Sequence, residues 1–159
     1  METMEARMVK LYARNNNHVA LHAIPGHFAT SHSHINFYID MTSLKTRANE
    51  AQEVAKSLAG DYVNSTVVDT IVCMDGTEVV GAYLAQEFEK RDFRNTNLHD
   101  TIYVVTPEYN ANNQLIFRDN TIPAIKGKNV ILLLATTTTG LTVRRSLECV
   151  QYYGGTVHG

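Results

Sequence analysis

The chain carries no surplus of either charge, few cysteines and no long apolar run, and each shortage removes a class of function. Across 159 residues, 14 Lys and Arg stand against 16 Asp and Glu, giving a formal net charge of -2 and a pI near 6.4. The bases are scattered among acids and form no stripe to hold a phosphate backbone, so nucleic acid is not the expected partner. Two cysteines, Cys73 and Cys149, lie far apart in apolar segments. That usage suits buried, reduced thiols in a reducing compartment better than a disulfide framework. No stretch approaches the roughly 18 apolar residues that spanning a bilayer takes, and the N-terminal segment mixes acids with bases. The expected setting is cytoplasmic, away from membranes. Neither Gly-x-Gly-x-x-Gly nor a Gly-Lys-Ser/Thr loop occurs, which removes the main support for dinucleotide oxidoreductase and P-loop nucleotidase chemistry.

What is present is the pattern of one domain of ordinary size spanning 1–159, 44% hydrophobic and 19% charged. Residues 1–27, with Asn15-Asn16-Asn17 and Pro25-Gly26, read as irregular structure with turns. The run FATSHSHINFYID over 28–40 alternates in part and puts Ile35, Phe37 and Ile39 on one face, as a half-buried strand or hairpin does. Thr42 or Ser43 is placed to cap a helix carrying Leu44, Ala48, Ala51, Ala55 and Leu58, which Gly60 stops. Residues 67–73 predict a strand, and 78–90 a second helix with Val79, Ala82, Tyr83 and Phe88 on its apolar positions. Another strand is expected at 101–106, and the polar stretch after it, to about 126, is long for a loop in a compact domain. The most apolar strand, 130–135, then leads through four threonines to a helix ending at Gly154-Gly155. Continuous apolar strands alternating with amphipathic helices argue for an α/β fold: an open, mostly parallel sheet with helices on both faces and right-handed crossovers. Ligands of such sheets sit beyond the carboxyl ends of the strands, which selects the loops 74–77, 107–126 and 136–142.

The last of these loops carries Thr138, Thr139, Gly140, Leu141 and Thr142 between a strand and a helix. Successive backbone N–H groups and hydroxyls at the positive end of a helix dipole make a nest for a monophosphate. Thr139 or Thr142 acting only as a helix cap is the alternative, and composition alone leaves both standing.

The segment GKNVILLLATTTTGLTVRRSLECVQYYGG resembles the phosphoribosyl pyrophosphate loop of type I phosphoribosyltransferases, where an apolar strand passes through two acids and two further residues into Thr-Thr-Gly-x-Thr and a helix. FATSHSHINFYID is similar to the N-terminal hood segment of orotate phosphoribosyltransferases, and Cys73-Met74-Asp75-Gly76-Thr77 looks like their pyrophosphate loop. The resemblance spans about residues 28–155. It implies a small hood at 1–40 on a core at 41–159, and transfer of ribose 5-phosphate from phosphoribosyl pyrophosphate to a nucleobase. It also implies magnesium but no organic cofactor, a phosphorylated ribose or nucleotide ligand, and a homodimer. On the same resemblance, the run from Thr138 to Thr142 holds the 5-phosphate and Asp75, Gly76 and Thr77 face the pyrophosphate. Tyr109, Arg118 and Lys126 then belong to the mobile loop that closes over the substrates. Thr156-Val157-His158 reads as the start of a further core strand, so the C-terminal part of the usual fold is expected to be missing.

The chain departs from this pattern where chemistry depends on it. The two acid positions are Leu134 and Ala135, which offer no acceptor to ribose hydroxyls or to a hydrated magnesium ion. A hydrogen bond to a charged group contributes about 1.5–3 kcal/mol, so losing two removes several kcal/mol of binding. The stretch PEYNANNQLIFRDN holds one cation, Arg118, with Lys126 beyond it, while Asp75 and Glu78 bring negative charge toward an anionic leaving group. These departures favour an alternative function, a catalytically impaired nucleotide or sugar-phosphate binding or regulatory protein on the same fold, and no residue is assigned a catalytic role. Asp75 and Glu78 read equally as a general base or ligand anchor and as a turn residue and a first-turn helix acid. Cys73 lacks the basic neighbour that a nucleophilic thiolate needs and reads as structural. His18, His22, His27, His32 and His34 cluster in sequence, but no Cys or acid accompanies them at metal-ligand spacing. They read as hydrogen-bonding surface histidines, and no metal ligand is assigned.

Overall fold

In the computed structural model, which describes residues 3, 5–30, 33–62, 67–91 and 101–159, the first layer is an antiparallel sheet. Its strands β1 (Val9–Ala13), β2 (Asn16–Ala29) and β3 (His34–Asp40) lie in the order β1-β2-β3. This corrects the expectation of irregular structure over 1–27. The turn residues are there but are used differently: Arg14 and Asn15 form the tight turn between β1 and β2. Pro25-Gly26 sits at a register shift of β2 against β3, where an interrupted ladder spares the proline its missing N–H. The strand expected at 28–40 forms, yet Phe37 and Ile39 are 54% and 39% exposed, so its alternating face is not buried within the chain. Period-two alternation defines a face and does not say what covers it.

One helix was expected over 42–60; two form, α1 (Thr42–Thr46) and α2 (Ala48–Tyr62), broken at Arg47, whose ψ of 118° is extended. Neither Thr42 nor Ser43 caps the first. The Asp40 carboxylate accepts the Thr42 amide at 2.9 Å instead, and its pKa is held below the ordinary value by the hydrogen bonds from the Thr42 hydroxyl and amide, aided by His22 and Lys45. The second helix runs through Gly60, because Ala51, Ala55 and Ala59 on its inner face are fully buried and packing overrides the glycine's weak propensity. Asn16 Nδ2 meets Glu53 Oε2 at 3.1 Å and fastens the antiparallel sheet to this helix.

The second sheet follows the expected α/β plan. Strands β4 (Thr70–Cys73), β5 (Tyr103–Val105), β8 (Asn129–Leu133) and β9 (Thr156–Val157) are all parallel in the order β5-β4-β8-β9, with the hairpin β6 (Glu108–Tyr109) and β7 (Leu115–Ile116) between β5 and β8. On one face, Ile71 and Cys73 of β4 and Ile131 and Leu133 of β8 pack against α2 and α3 (Glu78–Arg91). On the other, Val72 and Val130 meet Phe117, Ile125 and the Cys149-Val150 pair of α4 (Leu141–Tyr152). Full burial of side chains such as Ile71, Leu84 and Ile125 contributes roughly 1.5–3 kcal/mol apiece, before the entropy of ordering them. The edge of β8 is covered by β9, and the ladder continues with Leu132 N donating to the Gly159 carbonyl at 2.8 Å.

Two details correct the sequence reading. In α3 the inward face carries Val80, Leu84, Ala85 and Phe88, whereas Val79 and Ala82 are exposed. The run VVGAYLA is apolar all round, so its phase is not encoded locally. The stretch 107–126 is not a plain loop either: besides the hairpin it holds a short 3-10 turn at Ile122–Ala124, and Phe117 and Ile125 are buried. The buried Thr70 hydroxyl donates to the Ala124 carbonyl and ties that turn to β4.

Where α3 crosses β4, only glycine fits: a methyl group on Gly81 would sit 2.3 Å from Cys73 Sγ and 3.2 Å from Val104 Cγ1. Gly81→Ala is expected to lower stability by about 1–3 kcal/mol through overpacking, read as a fall in the urea midpoint with an unchanged slope. An unaltered midpoint would mean that the helix and strand are not in this close contact.

Candidate functional site

The carboxyl ends of β4 and β8 lie side by side, and the two loops leaving them face one another. Pairing in register from Thr70 with Val130 to Cys73 with Leu133 produces this directly. The Leu133 carbonyl then accepts both the Met74 amide at 2.9 Å and the Thr77 hydroxyl at 3.0 Å, and the same hydroxyl lies 2.8 Å from the Met74 carbonyl. Thr77 is buried, and its hydroxyl is committed to holding the turn shut. Within that turn Asp75 and Gly76 both take left-handed backbone angles, with φ of 57° and 76°. Asp is among the few non-glycine residues that tolerate this region. Lys45 of α1 donates from Nζ to the Asp75 carbonyl at 2.7 Å, which fastens the turn from the side of the antiparallel sheet.

The opposing wall is the threonine run. Gly140 has φ 76° at the start of α4, and no side chain caps this helix. The Leu141 amide stands 3.4 Å from Thr139 Oγ1, too far for a good bond, and Thr142 contributes only its carbonyl, which accepts Ser146 Oγ at 2.8 Å. The capping alternative for Thr139 and Thr142 is therefore not realised, and apart from the long Leu141–Thr139 contact no side-chain acceptor among the described residues engages the first-turn amides of α4. Between the walls is a cavity of about 180 Å³ lined by Asp75 and residues 136–142. Thr138, Thr139, Gly140, Leu141 and Thr142 thus share it with Asp75; Gly76, Thr77, Tyr109, Arg118 and Lys126 do not line it. A second, apolar space of about 350 Å³ lies behind the same loop, between Leu58 and Tyr62 of α2 and Val143 of α4, and meets the first at Thr136 and Thr137.

The other candidates have separate employment. Arg118 pairs with Glu108 at 2.7 Å near the base of the hairpin, an exposed ion pair that contributes less than about 1 kcal/mol. Tyr109 is exposed on β6, and Lys126 packs its stem near Gly154. Glu78 accepts the Thr106 hydroxyl at 3.2 Å, joining α3 to the end of β5. Burial pushes the Cys73 thiol up to about 12, so it stays protonated and is no nucleophile at neutral pH. His27 Nε2 and His34 Nδ1 are 2.7 Å apart, His32 lies outside the described residues, and among the described residues no three His, Cys, Asp or Glu side chains gather as metal ligands. A magnesium ion held through ribose hydroxyls at positions 134 and 135 does not fit this wall. Leu134 turns its side chain into the layer of Val72 and Val130, and Ala135 has no donor atom. Sequence reasoning missed Lys45, and it placed Thr136 and Thr137 in the ligand-facing loop 136–142 without giving either a role.

No protein-family model and no curated protein matches the chain. Among solved structures it is similar to the orotate phosphoribosyltransferase of Mycobacterium tuberculosis H37Rv. The complex with Fe(III) dicitrate gives a TM-score of 0.57 at 16% identity, over 87% of this chain and 74% of that one. The complex with inorganic phosphate gives 0.56 at 14% identity, over 86% and 71%. Adenine phosphoribosyltransferase from Leishmania donovani gives 0.52 at 18% identity, over 77% of this chain and 56% of that one. The chain therefore has a type I phosphoribosyltransferase-like fold. Among the described residues no helix is long and apolar enough to cross a membrane.

Burial of Cys73 and Cys149, whose thiols are raised to about 12 and about 11, makes both slow toward alkylation. With iodoacetamide at pH 8 the folded chain is expected to incorporate no label while the urea-unfolded chain takes up two, by intact mass. Rapid labelling of Cys73 in the folded state would contradict its placement against α3.

Proposed function

We propose that the chain is an orotate phosphoribosyltransferase-like protein whose threonine loop binds the 5-phosphate of a phosphorylated ribose. The reaction this reading supports is transfer of ribose 5-phosphate from phosphoribosyl pyrophosphate to a nucleobase. The observation that carries it is the polar cavity between the β4 and β8 loops, walled by hydroxyls and by the uncapped start of α4. Phosphate there meets backbone N–H groups and the positive end of a helix dipole, and Gly140 keeps the backbone open to close approach. Asp75, Gly76 and Thr77 form the turn opposite, and the hairpin bearing Tyr109, with Arg118 and Lys126 in the same stretch, is the proposed cover. Magnesium enters this reading only with phosphoribosyl pyrophosphate as its counter-ion, since positions 134 and 135 offer it no ligand. A single domain in the cytoplasm completes the proposal.

A second reading rests on Leu134 and Ala135. Without acids to hold the ribose hydroxyls, and with Arg118 already paired to Glu108, the site suits a binding or regulatory protein that senses a nucleotide or sugar phosphate. Fold likeness does not choose between the two, because function resides in the site.

Calorimetric titration separates them. Magnesium-dependent binding of phosphoribosyl pyrophosphate in preference to ribose 5-phosphate, with pyrophosphate released on adding a base, supports the transferase. Equal, metal-independent binding of both supports the sensor. In Gly140→Val a β-branched residue is forced to a positive φ, and binding of either ligand is expected to fall by at least about tenfold while the fold persists. Undiminished binding would remove the phosphate loop from both readings.

A homodimer is also proposed, from the exposed Val9, Leu11, Phe37 and Tyr38 of the antiparallel sheet. Light scattering behind size exclusion is expected to give twice the chain mass of 17.8 kDa. A monomeric mass at tens of micromolar protein would end that idea.

A further inference from the structure

We infer that Asp75 takes over the task left vacant at Leu134 and Ala135, accepting hydrogen bonds from the sugar hydroxyls of the ligand whose phosphate sits on the threonine loop. This deepens the proposed reading and rests on it. The cavity has Asp75 on one side and the threonine run with the start of α4 on the other, and Asp75 is the one acid among its lining residues. Among the described residues no hydrogen bond or ion pair engages that carboxylate; the contact Asp75 does make, to Lys45, goes through its backbone carbonyl. Two carboxylate oxygens supply about four acceptor sites, enough for both hydroxyls of a vicinal diol. A phosphate beside the same group would instead be repelled. The two walls therefore sort the two ends of one molecule: the phosphate to 138–142, the diol to Asp75.

The turn is built to keep Asp75 at the cavity. Its backbone is left-handed at 75 and 76, closed below by the Thr77 hydroxyl on the Met74 and Leu133 carbonyls, and fastened at the side by Lys45. Such a position accepts Gly, Asn or Asp and little else, and of these only Asp carries a charge. The ligand class that follows is a sugar monophosphate or nucleoside monophosphate with free vicinal hydroxyls, as opposed to its deoxy counterpart.

The test is titration of the wild-type chain, Asp75→Asn and Gly140→Val with inorganic phosphate, ribose 5-phosphate and 2-deoxyribose 5-phosphate. The wild type is expected to bind ribose 5-phosphate at least about tenfold more tightly than the deoxy compound, the effect of one charge-assisted hydrogen bond. Asp75→Asn, which keeps the left-handed backbone, is expected to erase most of that preference while inorganic phosphate binds as well as before or better. Wild-type binding of phosphate and both sugars without discrimination, or an Asp75→Asn variant that keeps the full preference, overturns this inference and leaves the phosphate loop standing. No binding of any of the three by the wild type overturns the phosphate-loop reading, and this inference with it. Retention of the wild-type far-ultraviolet circular dichroism by both variants shows that the comparison is between folded proteins.

Discussion

The parallel pairing of β4 with β8 is the constraint from which the rest of the molecule follows. It buries Ile71 and Cys73 beside Ile131 and Leu133 toward α2 and α3, and Val72 beside Val130 toward α4. A slip of one residue would exchange those faces and place the wrong side chains in both layers. The same register brings the two carboxyl ends level, so that the Leu133 carbonyl reaches the Met74 amide and the Thr77 hydroxyl. The geometry of the cavity is thus inherited from the core, and the loops need little stability of their own to be held in place.

Chemically the cavity is divided. One wall offers threonines and the start of a helix, an environment that welcomes negative charge; the other offers an acid, Asp75, on a left-handed turn. A polar cavity of about 180 Å³ with this division is small and selective for position more than for bulk. The apolar space on the far side of the threonine run is larger and lies on the α2 side, so the loop is a thin partition between a wet compartment and a greasy one.

The sequence made the parallel sheet, its covering helices and the threonine loop legible, because these depend on signals confined to short windows: continuous β-branched runs, the Gly154-Gly155 stop and a Thr-Thr-Gly-x-Thr string. It misplaced features that tertiary contacts decide. The strands at 9–29 are paired by their neighbours and not by strong alternation, and Pro25-Gly26, a turn signal locally, became an irregularity in a long strand. The α3 face was shifted because every candidate position is apolar, and close approach at Gly81 settles the phase. Lys45 is 30 residues from the turn it fastens, a separation that no local pattern spans.

Leu134 carries a consequence for how this site came to its present form and where it can go. Its side chain is part of the layer formed by Val72, Phe117 and Val130, so an acid introduced there alone would set a charge against apolar neighbours before any ligand repaid the desolvation. The position is entrenched: the route to a carboxylate at 134 passes through a less stable intermediate unless the layer beneath is remodelled first. Asp75, on an exposed turn whose backbone already suits it, faces no such barrier, so a carboxylate at this cavity costs the core nothing on that side.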